Sequence, residues 1–189
     1  MMKKRWIVGG LTAIAALSTV ALAPAASAAE VNSDTVTQFV AMVNYEAARY
    51  GMSPVSVYVN DLGDDTIVAG TQYGAITLNA RYAAMTPEQF EADMADDFAT
   101  GYEPGGCGAI QAVAIHEFGH VIDQRSGAVT RWVVAQAADA GRVGSDLHGY
   151  AFDENGNIAA GEAVAVSFQA VECGSATATE VSIYNVLVS

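Results

Sequence analysis

Three histidines occur in the 189 residues, and two of them lie four apart in His116-Glu117-Phe118-Gly119-His120. Residues at i and i+4 share one face of a helix, one turn apart. Two imidazoles in that relation can converge on one zinc ion. Glu117 is offset by one position, so it reaches beside the metal without ligating it. A carboxylate there can take a proton from water activated by the metal. The implied chemistry is metal-assisted hydrolysis. The alternative is a helix with two capped or surface histidines, and its neighbours argue against that. Ile110, Val113, Ala114, Val121 and Ile122 make this the most apolar helix after the first thirty residues. Burying two imidazoles and a carboxylate in it is costly without a metal or other partners.

A catalytic zinc site takes three protein ligands and leaves one position open. Two common placements of the third ligand are absent. Position 123 is Asp and position 126 is Ser, where the metzincin pattern has glycine and histidine. Position 140 is Ala, about where a thermolysin-like spacing has glutamate. The remaining candidates are Asp139, Asp146, His148, Glu154 and Glu162. Glu162 is the best placed, because it opens an apolar helix (EAVAVSF) that must be buried, and a buried carboxylate needs a strong partner. Asp123 lies seven residues after His116 and three after His120, on the same helical face. It is expected either to orient a ligand imidazole or to stand at a helix end in water. Gly119 costs about 1 kcal/mol in a helix interior. Its presence implies a second element packed close, with the Glu162 helix as the candidate.

These residues resemble a known pattern. His116 to Asp123 (HEFGHVID) is similar to the zinc helix of metallopeptidases related to the catalytic domain of anthrax lethal factor. In that family a downstream glutamate opens a helix of the form Glu-φ-φ-Ala-Glu-x-Phe, and Glu162 to Phe168 follows it except at Val166, where the family has a second glutamate. The resemblance spans residues 110–168. It implies His116, His120 and Glu162 as zinc ligands and Glu117 as general base. It also implies that Tyr150, ahead of the ligand helix, stabilises the tetrahedral intermediate. Val166 puts a substrate contact in doubt, and the 153–156 stretch lengthens the gap between Tyr150 and Glu162.

The elements that must hold these groups are legible in outline. Asp34 can cap a helix running to about residue 50. Residues 55–59, 66–69 and 75–82 read as strands, separated by a turn at residues 60–65. By analogy with zinc peptidases of this plan, residues 75–82 are expected to form the edge strand that binds an extended substrate. Thr86-Pro87-Glu88 starts a helix to about residue 100. A loop at 101–108 leads into the zinc helix, about 109–124. Helices follow over about 131–140, 161–172 and 176–187. Asp153-x-Asn155-x-Asn157 resembles the start of a calcium loop, but it lacks the glycine and distal glutamate of an EF-hand. The pattern implies an α+β, zincin-like fold: a small, twisted, mostly antiparallel sheet packed on the active-site helix and further helices.

The N-terminus reads as an address. Lys3, Lys4 and Arg5 precede an apolar run over residues 7–23, and Ala26-Ser27-Ala28 is a small-x-small cleavage site. Residues 1–28 are therefore expected to be a signal peptide, cut after Ala28 or Ala29, and 29–189 a single domain secreted from the cell. No later segment is long or apolar enough to span a bilayer. Removing 1–28 leaves five arginines, no lysine and 21 acids, a net charge of −16 against −13 for the whole chain. That excess excludes nucleic acid and anionic membranes as partners. Export gives Cys107 and Cys173 the prospect of a disulfide, stapling the loop before the zinc helix to the end of the ligand helix. The function expected is a monomeric, secreted zinc metalloendopeptidase acting on a peptide or protein substrate, with one catalytic Zn²⁺. The alternatives are a catalytically weak or inert binding protein on the same scaffold, and a zinc hydrolase of another bond, such as a cell-wall amide.

Overall fold

One largely buried helix sets the arrangement. The computed structural model describes residues 7–8 and 31–189. The elements in chain order are β1 (Ile7–Val8), α1 (Ser33–Arg49), β2 (Val57–Asn60), β3 (Ala69–Gln72), β4 (Ala75–Asn79), α2 (Ala80–Ala83), α3 (Pro87–Ala99), α4 (Ala109–Arg125) and α5 (Val129–Asp139). A 3₁₀ turn (Gly149–Ala151), α6 (Ala160–Cys173) and α7 (Ala178–Leu187) complete it. Apart from Ile7 and Val8, the expected signal peptide lies outside the described residues. No helix among the described residues is long and apolar enough to cross a membrane.

Helix α4 carries buried residues on every face, the mark of a helix enclosed by protein. It packs against α1, α3, α5, α6, β3 and β4. Gly108 at its N-terminus gives no side-chain cap. Glu91 of α3 supplies one instead, accepting from Ala109 N at 2.6 Å, where a carboxylate also meets the positive end of the helix dipole. Helix α6 crosses α4 at Gly119. A Cβ built there would lie 3.0 Å from Phe168 Cβ and 3.2 Å from Ala165 Cα. The close approach expected from Gly119 is therefore present, and it is made by the helix that bears Glu162. The Cys107–Cys173 disulfide joins the loop before α4 to the end of α6.

The sheet is mixed, with strand order β1-β3-β4-β2. β3 and β4 form an antiparallel hairpin, whereas β2–β4 and β1–β3 are parallel. Two strand expectations are corrected. The second strand covers 69–72 rather than 66–69, because Thr66 and Ile67 are engaged with Asp64 in a turn. Residues 75–82 do not make an edge strand. β4 stops at Asn79, whose side chain caps α2, and it is flanked on both sides by β3 and β2. The strand that packs chiefly on the zinc helix is β3, which lies between β4 and the two-residue β1.

Replacing Gly119 with alanine tests the α4–α6 contact. Alanine's propensity alone would stabilise the helix by about 1 kcal/mol. The crowding predicts instead a net loss of about 1–3 kcal/mol in urea denaturation. A gain in stability would mean that the two helices are not in tight contact.

Candidate metal centre

Helical spacing brings His116 and His120 to one side of α4, with ring centroids 4.9 Å apart. Glu162 stands in the first turn of α6, where the helix dipole favours a carboxylate. Its Oε2 lies 3.2 Å from His116 Nε2 and 3.5 Å from His120 Nε2. One ligand atom from each of the three lies within 4.8 Å of the others, and this is the sole such cluster among the described residues. All three are buried or nearly so.

The hydrogen bonds around the cluster show what it lacks. Gln169 Nε2 donates to Pro104 O at 3.3 Å, so its Oε1 is the atom facing His116 Nδ1 at 3.2 Å. An acceptor there requires the proton of a neutral imidazole to sit on Nδ1. His116 Nε2 then points a lone pair at the Glu162 carboxylate, and two lone pairs at 3.2 Å repel unless a cation lies between them. A tetrahedral zinc ion with bonds of about 2.0–2.1 Å would set its ligand atoms about 3.3–3.4 Å apart, close to the 3.2 and 3.5 Å from Glu162 Oε2 to the two imidazole nitrogens. The donor set and its geometry therefore fit a divalent metal. Burial works to raise the Glu162 pKa, but where the imidazoles carry the proton that a cation would replace, their hydrogen bonds and charge outweigh it and hold the carboxyl at about 2. Glu162 is thus ionised, as a ligand must be.

Glu117, the residue after His116, reaches β3. Thr71 Oγ1 donates to its Oε2 at 2.6 Å. Glu117 Oε1 is buried and has no partner. Burial is the main cause that raises its pKa to about 7, opposed by His116 and by the Thr71 hydrogen bond. A carboxylate poised near neutrality with one free oxygen suits proton transfer at physiological pH.

Tyr150, in the 3₁₀ turn, is buried with its ring centroid 5.6 Å from that of His116. It is fixed by its backbone, since Tyr150 N donates to Tyr102 O at 2.8 Å. Gly149 lets that turn sit tight, as a Cβ would meet Tyr102 Cδ2 at 2.8 Å. A cavity of about 710 Å³ opens beside Glu162, and Tyr102, Tyr150, Phe152 and the 153–156 turn form its walls. The lengthened stretch after Tyr150 thus builds the wall of the cavity that reaches the metal cluster.

Several candidates stand elsewhere. Asp123 is wholly buried but serves neither imidazole. Its carboxylate takes the backbone N–H of Arg131 at 3.2 Å and the Arg131 Nε, tying α4 to α5, and His120 Nδ1 has no partner. The left-handed backbone at Ala128 turns the chain so that Arg131 arrives there. His148 is no ligand: its Nδ1 pairs with the buried Glu180 at 2.7 Å. Asp146 bonds Thr179, and Asp153 closes its own turn through Asn155 and Asn157. Val166 is buried in the apolar core. Thr71, Gln169 and Glu103 were not foreseen. Gln169 had a signal, seven residues after Glu162 on the same helical face. Thr71 and Glu103 had none.

Searches against protein-family models, curated proteins and solved structures return no match for this chain. The site therefore speaks through its own geometry, a His-x-x-x-His helix completed by a downstream glutamate, the gluzincin arrangement.

Glu103 offers a test of the electrostatics around this cluster. It is buried with neither carboxylate oxygen hydrogen-bonded. Burial chiefly, then the charges of Glu162, Asp97 and Glu117, raise its pKa well above 4.5, while the nearby Gln169 amide opposes them. A carboxyl whose pKa is higher folded than unfolded favours the fold below the unfolded value. That contribution is lost as pH rises toward the folded value. Glu103→Gln should therefore be more stable than the parent by about 1–3 kcal/mol at pH 8, with the gap shrinking toward pH 4. A gap that does not change with pH in urea denaturation contradicts this assignment.

Proposed function

We propose that this protein is a secreted zinc metalloendopeptidase. The observation that carries the reading is the meeting of His116, His120 and Glu162 in one buried cluster, with the unpartnered Glu117 Oε1 on the adjoining residue. A structural metal site has no use for such a base. Zinc held by the three side chains would supply Lewis acidity toward a carbonyl oxygen and toward water. Gln169 keeps the proton of His116 on Nδ1 and so leaves Nε2 for the metal. Glu117 takes the proton of the attacking water at Oε1 as the C–O bond forms, and delivers it to the amine nitrogen as the tetrahedral state collapses and the C–N bond breaks. The Tyr150 hydroxyl donates to the oxygen that gains charge in the tetrahedral state. The cavity beside Glu162 receives residues next to the scissile bond. Kinship with the lethal factor catalytic domain, signal-peptide export of residues 29–189 and a monomeric state belong to the same proposal.

A catalytically weak or inert binding protein on this scaffold is the second reading, supported by valine at 166 in place of a second glutamate and by the longer 153–156 turn.

Two measurements decide the matter. Chelation should abolish cleavage of an unbiased peptide library, and added zinc should restore it. Glu117→Gln should retain about one zinc per chain and lose kcat by about 10²–10⁴-fold. A wild-type protein that binds zinc and cleaves no member of the library would overturn the peptidase reading and favour the binding protein.

A further inference from the structure

The two carboxylate oxygens of Glu117 are treated differently. Oε1 is free, whereas Oε2 is held by a side chain from a distant part of the chain. That side chain is Thr71 of β3, itself 2% exposed. Its Oγ1 lies 2.6 Å from Glu117 Oε2 and 3.1 Å from Glu117 O. The hydroxyl is thus fixed against both ends of the glutamate, and its rotamer leaves Oε1 as the oxygen without a partner. A threonine χ1 is stiff, so the bond pins the carboxylate rather than following it.

Thr71 is in turn held from behind. Gln124, seven residues after Glu117 and on its side of α4, donates from Nε2 to Thr71 O at 3.1 Å. Its Oε1 accepts from Gly74 N at 2.9 Å, in the hairpin turn. Gln124 therefore clamps the β3–β4 hairpin to the helix that carries the glutamate. β3 lies between β4 and the two-residue β1, whose Val8 pairs in register with Thr71.

We propose that Thr71 is a positioning residue for the Glu117 carboxylate: it anchors Oε2 so that Oε1 alone faces the reacting centre. The inference rests on the peptidase reading for its catalytic consequence but not for the anchoring itself. Without the hydroxyl, Glu117 gains rotamers that turn Oε1 away, and the share of productive geometry falls. Substrate binding involves other groups, so the loss belongs to turnover.

The test compares Thr71→Val with Thr71→Ser in the zinc-loaded protein. Valine keeps the shape and removes the donor, while serine keeps the donor. We expect Thr71→Val to retain its fold and about one zinc per chain. It should lose kcat by about 10–100-fold with KM changed less than about twofold, and Thr71→Ser should recover to within about threefold of the parent. A crystal structure of Thr71→Val should show the Glu117 carboxylate displaced from its position in the parent. The proposal is overturned if Thr71→Val turns over like the parent, if serine fails as badly as valine, or if Glu117 stays in place without the hydroxyl. Should the parent cleave nothing, the peptidase reading alone falls, and the crystal structures still decide whether Thr71 holds Glu117.

Discussion

The fold turns on one confrontation between charges, the carboxylate of Glu162 set against two imidazoles of α4 in a buried space. Such a meeting is unfavourable unless each group finds a partner. The structure brings them together by removing side-chain bulk where the helices cross. Gly119 sits between His116 and His120 and meets Ala165 and Phe168 of α6 directly. The glycine that weakens α4 as an isolated helix is thus what allows Glu162 to reach both imidazoles. The disulfide from Cys107 to Cys173 and the Glu91 cap at Ala109 secure the ends of the same two helices.

Around that meeting the polar groups fall into two sets. One set prepares the imidazole–carboxylate cluster for a cation: Gln169 fixes the proton of His116, and the imidazoles keep Glu162 ionised. The other prepares Glu117, which burial raises to about 7 while Thr71 restrains one oxygen. Two carboxylates on neighbouring helices are driven in opposite directions by their surroundings. The one held low can only ligate, and the one held near neutrality can exchange a proton. Divergent carboxyl groups of this kind are how a single site divides binding from acid–base work.

The parts of this arrangement that are local in the chain were legible in the sequence. The four-residue spacing of His116 and His120, the offset of Glu117, the apolar helix opened by Glu162 and the meaning of Gly119 all follow from helix geometry. What escaped depends on turns and on partners that lie outside the element itself. Asp123 occupies the expected helical position, yet a left-handed turn at Ala128 delivers Arg131 to it, and the aspartate spends itself there. Thr71 looks like any β-strand threonine until β3 is laid against α4. Residues 75–82 alternate as an edge strand does, but alternation does not say which neighbour a strand acquires, and β2 returned in parallel to cover β4.

The central claim is that two imidazoles and the Glu162 carboxylate bind one zinc ion. X-ray absorption spectroscopy of the zinc-loaded protein tests it most directly. The account predicts about one zinc per chain with two imidazole nitrogens and oxygen donors at about 2.0–2.2 Å, no sulfur, and the loss of that spectrum in Glu162→Gln. A spectrum with a third imidazole, or one that persists unchanged without the Glu162 carboxylate, would contradict it.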